Sequence, residues 1–349
     1  MKILLVLNSR IPTQNYDDAE RVLWWQGRQL HEMGHEPLLL VKKNSTCTYA
    51  PVLFLEEKKP LEAQIPADVD LVHFFYRPPQ KALSALGKPY LITNFDNSTA
   101  ADTFDPNTVF LSASHAARHG AEVFVYPGLD FRDYGEALLD FPRNYFHFLG
   151  DAAWGGRNVR GAIDLAARAG TRVHVIGGSR VNFRKGLRIT LSPSARFHGV
   201  LHRDGRNMLL NGSKGLLFPI LWHEPFGLPV VESLYFGCPV FGTPYGALPE
   251  LLCPKTNTDN RKWTGHVDAC FSEFGCLSVK RSELLDAIRQ AGAFSPERCT
   301  EYARDCFSAE RMARDYLRLY EQILHGNPLH NHSPTLSVAP ENKLLRMEA

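Results

Sequence analysis

The sequence lacks most of the features that would tie it to a membrane, a nucleic acid or an oxidising compartment. No apolar stretch approaches the roughly 20 residues that a helix needs to cross a bilayer. Charge is nearly balanced, 39 Lys and Arg against 37 Asp and Glu for a formal net charge of +2, so nothing argues for a nucleic-acid partner. Peripheral membrane association and oligomeric state are left open. The seven cysteines (Cys47, Cys238, Cys253, Cys270, Cys276, Cys299 and Cys306) include no C-x-x-C pair and are odd in number. Reduced thiols in a cytoplasmic protein are the simplest account. Met1 to Asn8 holds one Lys and a short apolar run but no small-residue cleavage site, and reads as a first strand.

At 349 residues the chain is long for one core and comfortable for two domains. Lys2 to Leu7 is apolar without alternation, as in a strand buried on both faces of a parallel sheet. A helix over about Ala19 to Met33 and a strand over Pro37 to Val41 complete a βαβ unit. The rhythm continues with strands at Leu71 to Phe75, Tyr90 to Thr93, Thr108 to Ser112 and Val123 to Val125. Pro127-Gly128 and the polar stretch to Pro142 read as an interdomain hinge. Tyr145 to Leu149 restarts the pattern, followed by a helix over Val159 to Ala169 and strands at Arg172 to Ile176, Ala195 to Phe197, Gly215 to Phe218 and Val240 to Gly242. A polar insert lies near Thr256 to Lys262, and helices are expected over Ser282 to Gln290 and Pro296 to Cys306. Ala309 to Leu324 carries Met312, Tyr316, Leu319, Tyr320 and Ile323 at helical spacing. The fold class is α/β with doubly wound parallel sheets. Expected boundaries are 1–142, 143–308, a helix over 309–325 and a disordered polar tail over 326–349.

The chemistry concentrates in Glu224-Pro225-Phe226-Gly227-Leu228-Pro229-Val230-Val231-Glu232. Pro229 suits a helix's first turn, and Gly237 with Pro239 stops the helix after about two turns. The N–H groups of Phe226, Gly227 and Leu228 then face whatever lies over the helix start, and an anion is the favoured guest. Glu224 outside the helix and Glu232 inside it could each accept hydrogen bonds from a hydroxylated ring, with a phosphate between. A nucleotide sugar has that layout.

This pattern, with Gly242-Thr243-Pro244-Tyr245-Gly246-Ala247-Leu248-Pro249-Glu250 after it, resembles the E-x7-E motif of the retaining GT-B glycosyltransferases of family four (glycosyl transferases group 1). The resemblance implies two Rossmann-like domains facing across a cleft, an N-terminal acceptor domain and a C-terminal donor domain, and a last helix crossing back to the first. It implies that Glu224 contacts the donor sugar and Glu232 the ribose, and that a UDP- or GDP-sugar is substrate, with no metal or other cofactor demanded. Trp154-Gly155-Gly156-Arg157-Asn158-Val159-Arg160-Gly161 opens a helix after the second domain's first strand, where such domains bind phosphate. By resemblance Arg157 and Arg160 hold the diphosphate and stabilise its charge as the glycosidic bond breaks. Gly177-Gly178 and Phe197-His198-Gly199-Val200 end two strands on the same edge, and Gly178, His198 and Val200 are candidate nucleobase contacts. Tight turns explain these glycines nearly as well.

Three look-alikes lead elsewhere. His31-Glu32-Met33-Gly34-His35 spells H-E-x-x-H, but Gly34 lies at a helix end, so the histidines share no face for zinc. Asp68-Val69-Asp70 precedes a buried strand and suits a turn. His115 and His119 read as a structural pair. The departures from the family fall mostly in the first half. Tyr16-Asp17-Asp18 stands where a Gly-Gly is usual, Asn94-Phe95-Asp96-Asn97 where a His-Gly is, and Asp151 where a basic residue is; Pro127-Gly128 replaces an N-G. Asp17, Asp18 and Phe95 are therefore candidate acceptor-side residues, with a cationic or amino-bearing acceptor among those that the aspartates could meet. Two readings result: an active transferase with an unidentified acceptor hydroxyl on a glycan, a lipid-linked or a small molecule, or a non-catalytic nucleotide- or carbohydrate-binding relative or partner subunit. An epimerase or phosphorylase on the same fold is a third.

Overall fold

A computed structural model describes residues 1–12, 18–98, 102–182, 188–253, 268–337 and 344–348. The chain forms two compact units, Met1–Asp130 with Ser308–Pro340, and Phe131–Phe307 with Glu341–Ala349. Among the described residues no helix is long and apolar enough to cross a membrane.

In the first unit, strands β1 (Lys2–Val6), β2 (Glu36–Val41), β3 (Val52–Phe54), β4 (Leu71–Phe74), β5 (Tyr90–Thr93) and β6 (Thr108–Val109) form a parallel sheet in the order β3-β2-β1-β4-β5-β6. The apolar run at Lys2 sits mid-sheet because Ile3, Leu4, Leu5 and Val6 are fully buried, which only a strand covered on both faces requires. Helix α1 (Asp18–Glu32) links β1 to β2, and short helices α2 (Gln80–Ser84) and α3 (Ala113–Arg118) follow β4 and β6.

The second unit has β7 (Tyr145–Leu149), α4 (Val159–Arg168), β8 (Val173–Ile176), a small antiparallel pair β9 (Val181–Asn182) and β10 (Arg188–Ile189), then β11 (Ala195–Phe197). Helix α5 (Arg203–Asn211), β12 (Ser213–Phe218), α6 (Leu228–Tyr235), β13 (Val240–Gly242) and α7 (Leu248–Leu252) come next. A hairpin of β14 (Ala269–Ser272) and β15 (Gly275–Ser278), then α8 (Arg281–Arg289) and α9 (Pro296–Cys306), complete it. Its seven-stranded sheet runs β11-β8-β7-β12-β13-β15-β14, and β14 alone is antiparallel. Phe146, Phe148, Val173 and Val175 pack on Ile163, Leu165 and Leu284 of the helices on one face.

Helix α10 (Ala309–Leu324) returns to the first unit and packs on α1 and β5. Its Met312, Tyr316, Tyr320 and Ile323 are buried as the spacing implies, while Leu319 is half-buried. The seam contains a buried chain of polar contacts. Gln26 Nε2 donates to the Tyr320 hydroxyl at 3.3 Å, and that hydroxyl meets His73 Nδ1 at 2.8 Å. His73 Nε2 meets Thr93 Oγ1 at 2.8 Å, and Thr93 meets the Tyr316 hydroxyl at 2.8 Å. Burial holds the His73 pKa well below its usual value, so the ring is neutral and needs one donor and one acceptor. The chain supplies both.

Several expectations are corrected. Residues 326–337 and 344–348 are ordered against the body, not a loose tail. His330 N donates to Pro106 O at 3.0 Å, Ser337 N to Arg118 O at 2.8 Å, Leu345 N to Leu221 O at 2.8 Å and Glu348 N to Val279 O at 2.7 Å. Leu329 and His330 are buried, a docking that polar composition conceals. The chain passes from the first unit to the second at Asp130–Phe131, inside the stretch read as an interdomain hinge, so residues 131–142 belong to the second unit and not, as the expected boundary had it, to the first. Tyr235 donates its hydroxyl to Gly135 O, and Leu138 N donates to Asn211 Oδ1 at 2.8 Å. The expected Val123 strand reduces to one bridge, Phe124 with Phe110. α7 and β14 carry Cys253 and Cys270 to one edge, with their Cα atoms 6.6 Å apart and so within disulfide reach. The insert near Thr256 to Lys262 lies outside the described residues.

Two predictions follow from the buried histidines. Replacing Tyr320 with Phe strands His73 Nδ1 and Gln26, so unfolding in urea should cost about 1–3 kcal/mol less. His73 is fully buried, and burial lowers His115 and His147 to about 3. Their folded pKa lies below the unfolded value, so only the unfolded chain takes up these protons. Stability should therefore be complete above about pH 6.5 and fall as pH drops below it, by about 1.4 kcal/mol per pH unit for each such ring; denaturant midpoints measured from pH 7.5 to 4.5 check this.

Candidate functional site

Helix α6 begins at Gly227, whose φ of +103° is open to glycine, and Pro229 fills its first turn. All eight of its residues are buried, so it is a core helix rather than a surface one. His147 on β7 pins it: its Nε2 meets Ser233 Oγ at 2.8 Å, its Nδ1 meets Ser213 Oγ at 2.7 Å, and Ser233 Oγ donates to Pro229 O at 2.6 Å.

Glu224, 3% exposed, lies in the loop before α6. Its Oε2 accepts from Arg157 Nη1 and, at 3.0 Å, from Trp222 Nε1. The Arg157 guanidinium lies 5.3–5.6 Å from the Trp154, Phe218 and Trp222 ring centres, a setting in which a weakly hydrated, planar cation gains on three sides. The loop backbone is equally fixed. Ala247 N donates to Glu224 O at 2.9 Å, and a Cβ at Gly246 would stand 2.2 Å from Glu224 N and O. The stretch from Gly242 to Glu250 therefore supports Glu224 through a contact that only glycine permits.

Arg157 comes from a 3-10 turn, Gly155–Arg157, after β7. Asn158, in the left-handed region at φ 52°, caps α4 by accepting from Gly161 N at 3.1 Å and donates to Pro219 O at 2.8 Å. Arg160, one turn further, is exposed and makes no ion pair among the described residues. Asp151 is spent locally, its Oδ1 accepting from Ala153 N at 2.9 Å.

Glu232 has no exposed surface. Its Oε1 accepts from the Tyr134 hydroxyl at 2.7 Å and from Arg206 Nη1 at 3.2 Å. Neither partner was legible in the sequence. Arg206 belongs to α5, which no sequence signal marked, and the one available hint is that a carboxylate inside an apolar helix demands a cation.

Gly177 and Gly178 pack on protein: a Cβ at Gly177 would meet Gly150 O at 2.3 Å, and one at Gly178 would meet Ala152 Cβ at 2.4 Å. His198 lies 4.8 Å from the His174 ring, which stacks on Tyr145 at 3.7 Å. Burial and then the neighbouring His198 and arginines lower His174 to about 4. Val200 is 61% exposed.

The comparisons with known proteins bear on the fold and on this stretch. Residues 157–266 match the family model described as glycosyl transferases group 1. Among solved structures, AviGT4, a glycosyltransferase involved in avilamycin A biosynthesis, superposes with a TM-score of 0.67 at 20% identity, covering 93% of this chain and 98% of that one. Sucrose-phosphate synthase from Thermosynechococcus elongatus gives 0.67 at 14% identity over 93% and 100%. Anabaena HepE, in complex with UDP and glucose, gives 0.65 at 15% identity over 92% and 99%. The fold is GT-B. No curated protein matches the sequence.

Within the GT-B frame the remaining candidates lie in the first unit. Asp18 opens α1, with its carboxylate 4.0 Å from Arg21 Nη1; Asp17 lies outside the described residues. Phe95 follows β5, half-buried and 6.4 Å from the Phe75 ring. His115 and His119 hold this loop: His115 Nε2 meets Asp96 O at 3.2 Å, and Ser98 N donates to His119 Nε2 at 3.4 Å. Near it a cavity of about 350 Å3 is lined by Arg77, Gln80, Asn94, Phe104 and Asp105 among others. The H-E-x-x-H look-alike breaks at Glu32, where α1 ends, and Asp68 and Asp70 bind Lys2.

Removing one member of the Glu224–Arg157 pair leaves a charge without its partner. Arg157→Met should lower the unfolding free energy by about 3–5 kcal/mol, and adding Glu224→Gln should recover part of that loss; denaturant melts of the four proteins measure the coupling.

Proposed function

We propose that the protein is a retaining glycosyltransferase of family four that moves a sugar from a nucleoside diphosphate, UDP or GDP, to an acceptor hydroxyl. The observation that carries this reading is the Glu224 carboxylate held by Arg157 and Trp222 beside the start of α6. The match of residues 157–266 to glycosyl transferases group 1 supports it. So does the fold shared with HepE, which crystallised in complex with UDP and glucose.

On this reading Glu224 receives hydroxyls of the donor sugar and Glu232 those of the ribose. Phe226, Gly227 and Leu228 turn their N–H groups and the helix dipole toward the diphosphate. The basic residue missing at Asp151 is replaced from further along the turn, since Arg157 Cδ and Nε stand 3.6 Å from where a Gly150 Cβ would be. Arg157 and Arg160 stabilise the charge that grows on the leaving phosphate, and that phosphate oxygen takes the acceptor proton as the new bond forms on the same face. Catalysis is then positioning and charge stabilisation. The acceptor is the open term. Asp17 and Asp18 suit one that carries an amino group.

One observation favours a second reading, a binding relative without turnover: where the family carries a basic residue after the first strand of this unit, the chain has the carboxylate of Asp151, bonded to Ala153 N.

Incubation with labelled UDP- and GDP-sugars separates the two. The transferase reading expects nucleoside diphosphate release that falls by at least about a hundredfold in Glu224→Ala and in Arg160→Ala, and mass spectrometry should find a glycoside rather than free epimer or sugar phosphate. Tight nucleotide binding with no release against any acceptor would establish the binding relative instead.

A further inference from the structure

Among the described residues of the second unit the Glu232 carboxylate is the most deeply buried charge, and the way it is held says more than that it is neutralised. Arg206, 8% exposed, reaches it from α5, and Tyr134 reaches it from the segment after the 3-10 turn Phe131–Asp133. Both donate to the same oxygen, Oε1, at 3.2 and 2.7 Å. Two donors from different directions on one oxygen remove the rotation of the carboxylate about its last bond.

The donors are themselves fixed. The Arg206 guanidinium lies 5.0 Å from the centre of the Tyr134 ring, and the next residue, Asn207, donates from Nδ2 to Tyr134 O at 2.5 Å. The Tyr134 ring sits edge-on to Tyr235 and Phe236, 6.0 and 6.4 Å away, at the end of the helix that carries Glu232. Consecutive residues of α5 therefore grip the tyrosine by ring and backbone, and the tyrosine grips the glutamate. This is more than charge balance requires: Arg206 alone supplies the cation.

We propose that Tyr134 and Arg206 are positioning residues that orient the Glu232 carboxylate to receive the vicinal hydroxyls of the donor's ribose before the nucleotide arrives. The inference rests on the donor reading of Glu232. Its physical content is preorganisation: a carboxylate free to rotate would lose that freedom on binding, and one already clamped does not. The clamp acts on the ribose hydroxyls and not on the diphosphate, so it should be felt as discrimination between ribose and deoxyribose.

The test is calorimetric titration of the full chain with UDP and GDP and with their 2′-deoxy counterparts. Wild type is expected to prefer the ribonucleotide, and Glu232→Gln to lose most of that preference. Tyr134→Phe keeps the ring packing and removes only the hydroxyl. It is expected to lower the ribo-to-deoxy ratio about tenfold while leaving deoxynucleotide affinity and the melting temperature near wild type. Arg206→Lys should act in the same direction.

If Glu232→Gln keeps the wild-type ratio, or wild type binds neither nucleotide, the ribose reading of Glu232 falls and this inference with it. If Glu232→Gln loses the preference while Tyr134→Phe retains it, the reading stands and the positioning role is overturned. Tighter ribonucleotide binding by Tyr134→Phe would also overturn it, since the hydroxyl would then be occupying the ribose's place.

Discussion

A carboxylate withdrawn from water must meet a cation, and the second half of this protein is arranged around two that do. Glu224 and Glu232 flank the start of one buried helix, and each is answered by an arginine from a different element: Arg157 from the turn after β7, Arg206 from α5. Desolvating an unpaired carboxylate costs several kcal/mol. That cost dictates where the turn and α5 lie. The aromatic rings around Arg157 and the Tyr134 hydroxyl on Glu232 then set direction as well as charge.

Within the first unit the outgoing and returning chain are fixed just as tightly. Leu129 and Ser308 form an isolated bridge, and a Cβ at Gly128 would stand 2.2 Å from Ser308 O. The returning chain becomes α10, seated over the His73 and Thr93 chain of polar contacts. The segment beyond α10 binds first to one unit and then to the other by backbone hydrogen bonds.

Much of the architecture was legible. Strands such as Lys2–Val6 and Tyr145–Leu149 are continuous apolar runs because both faces of a parallel sheet are covered, and α10 shows its buried stripe in its spacing. Short helices were not. Helices α2 and α7 have five residues each, too few for a period to emerge. The tail misled because its burial rests on Leu329 and His330 within a polar stretch. The domain boundary was expected too late, at 142, because Tyr134 and Leu138 are anchored by side chains of later elements that the sequence does not reveal. Of the candidate site, one motif carried Glu224, Gly227 and Glu232 and one turn carried Arg157, but none of their side-chain partners could be read from the sequence, nor that Gly178 lies against Ala152.

By itself the sequence determined the alternation of strands and helices and the carboxylate pair about the start of α6, since these depend on residues within a turn or two of each other. Tertiary structure alone decided which side chains answer those carboxylates. Arg157 and Glu224 are 67 residues apart, Arg206 and Glu232 are 26, and Tyr134 and Glu232 are 98. Tertiary structure also brought Cys253 beside Cys270 and gave the tail its seat. Local periodicity reports that a face is buried; it carries no information about the distant group that buries it.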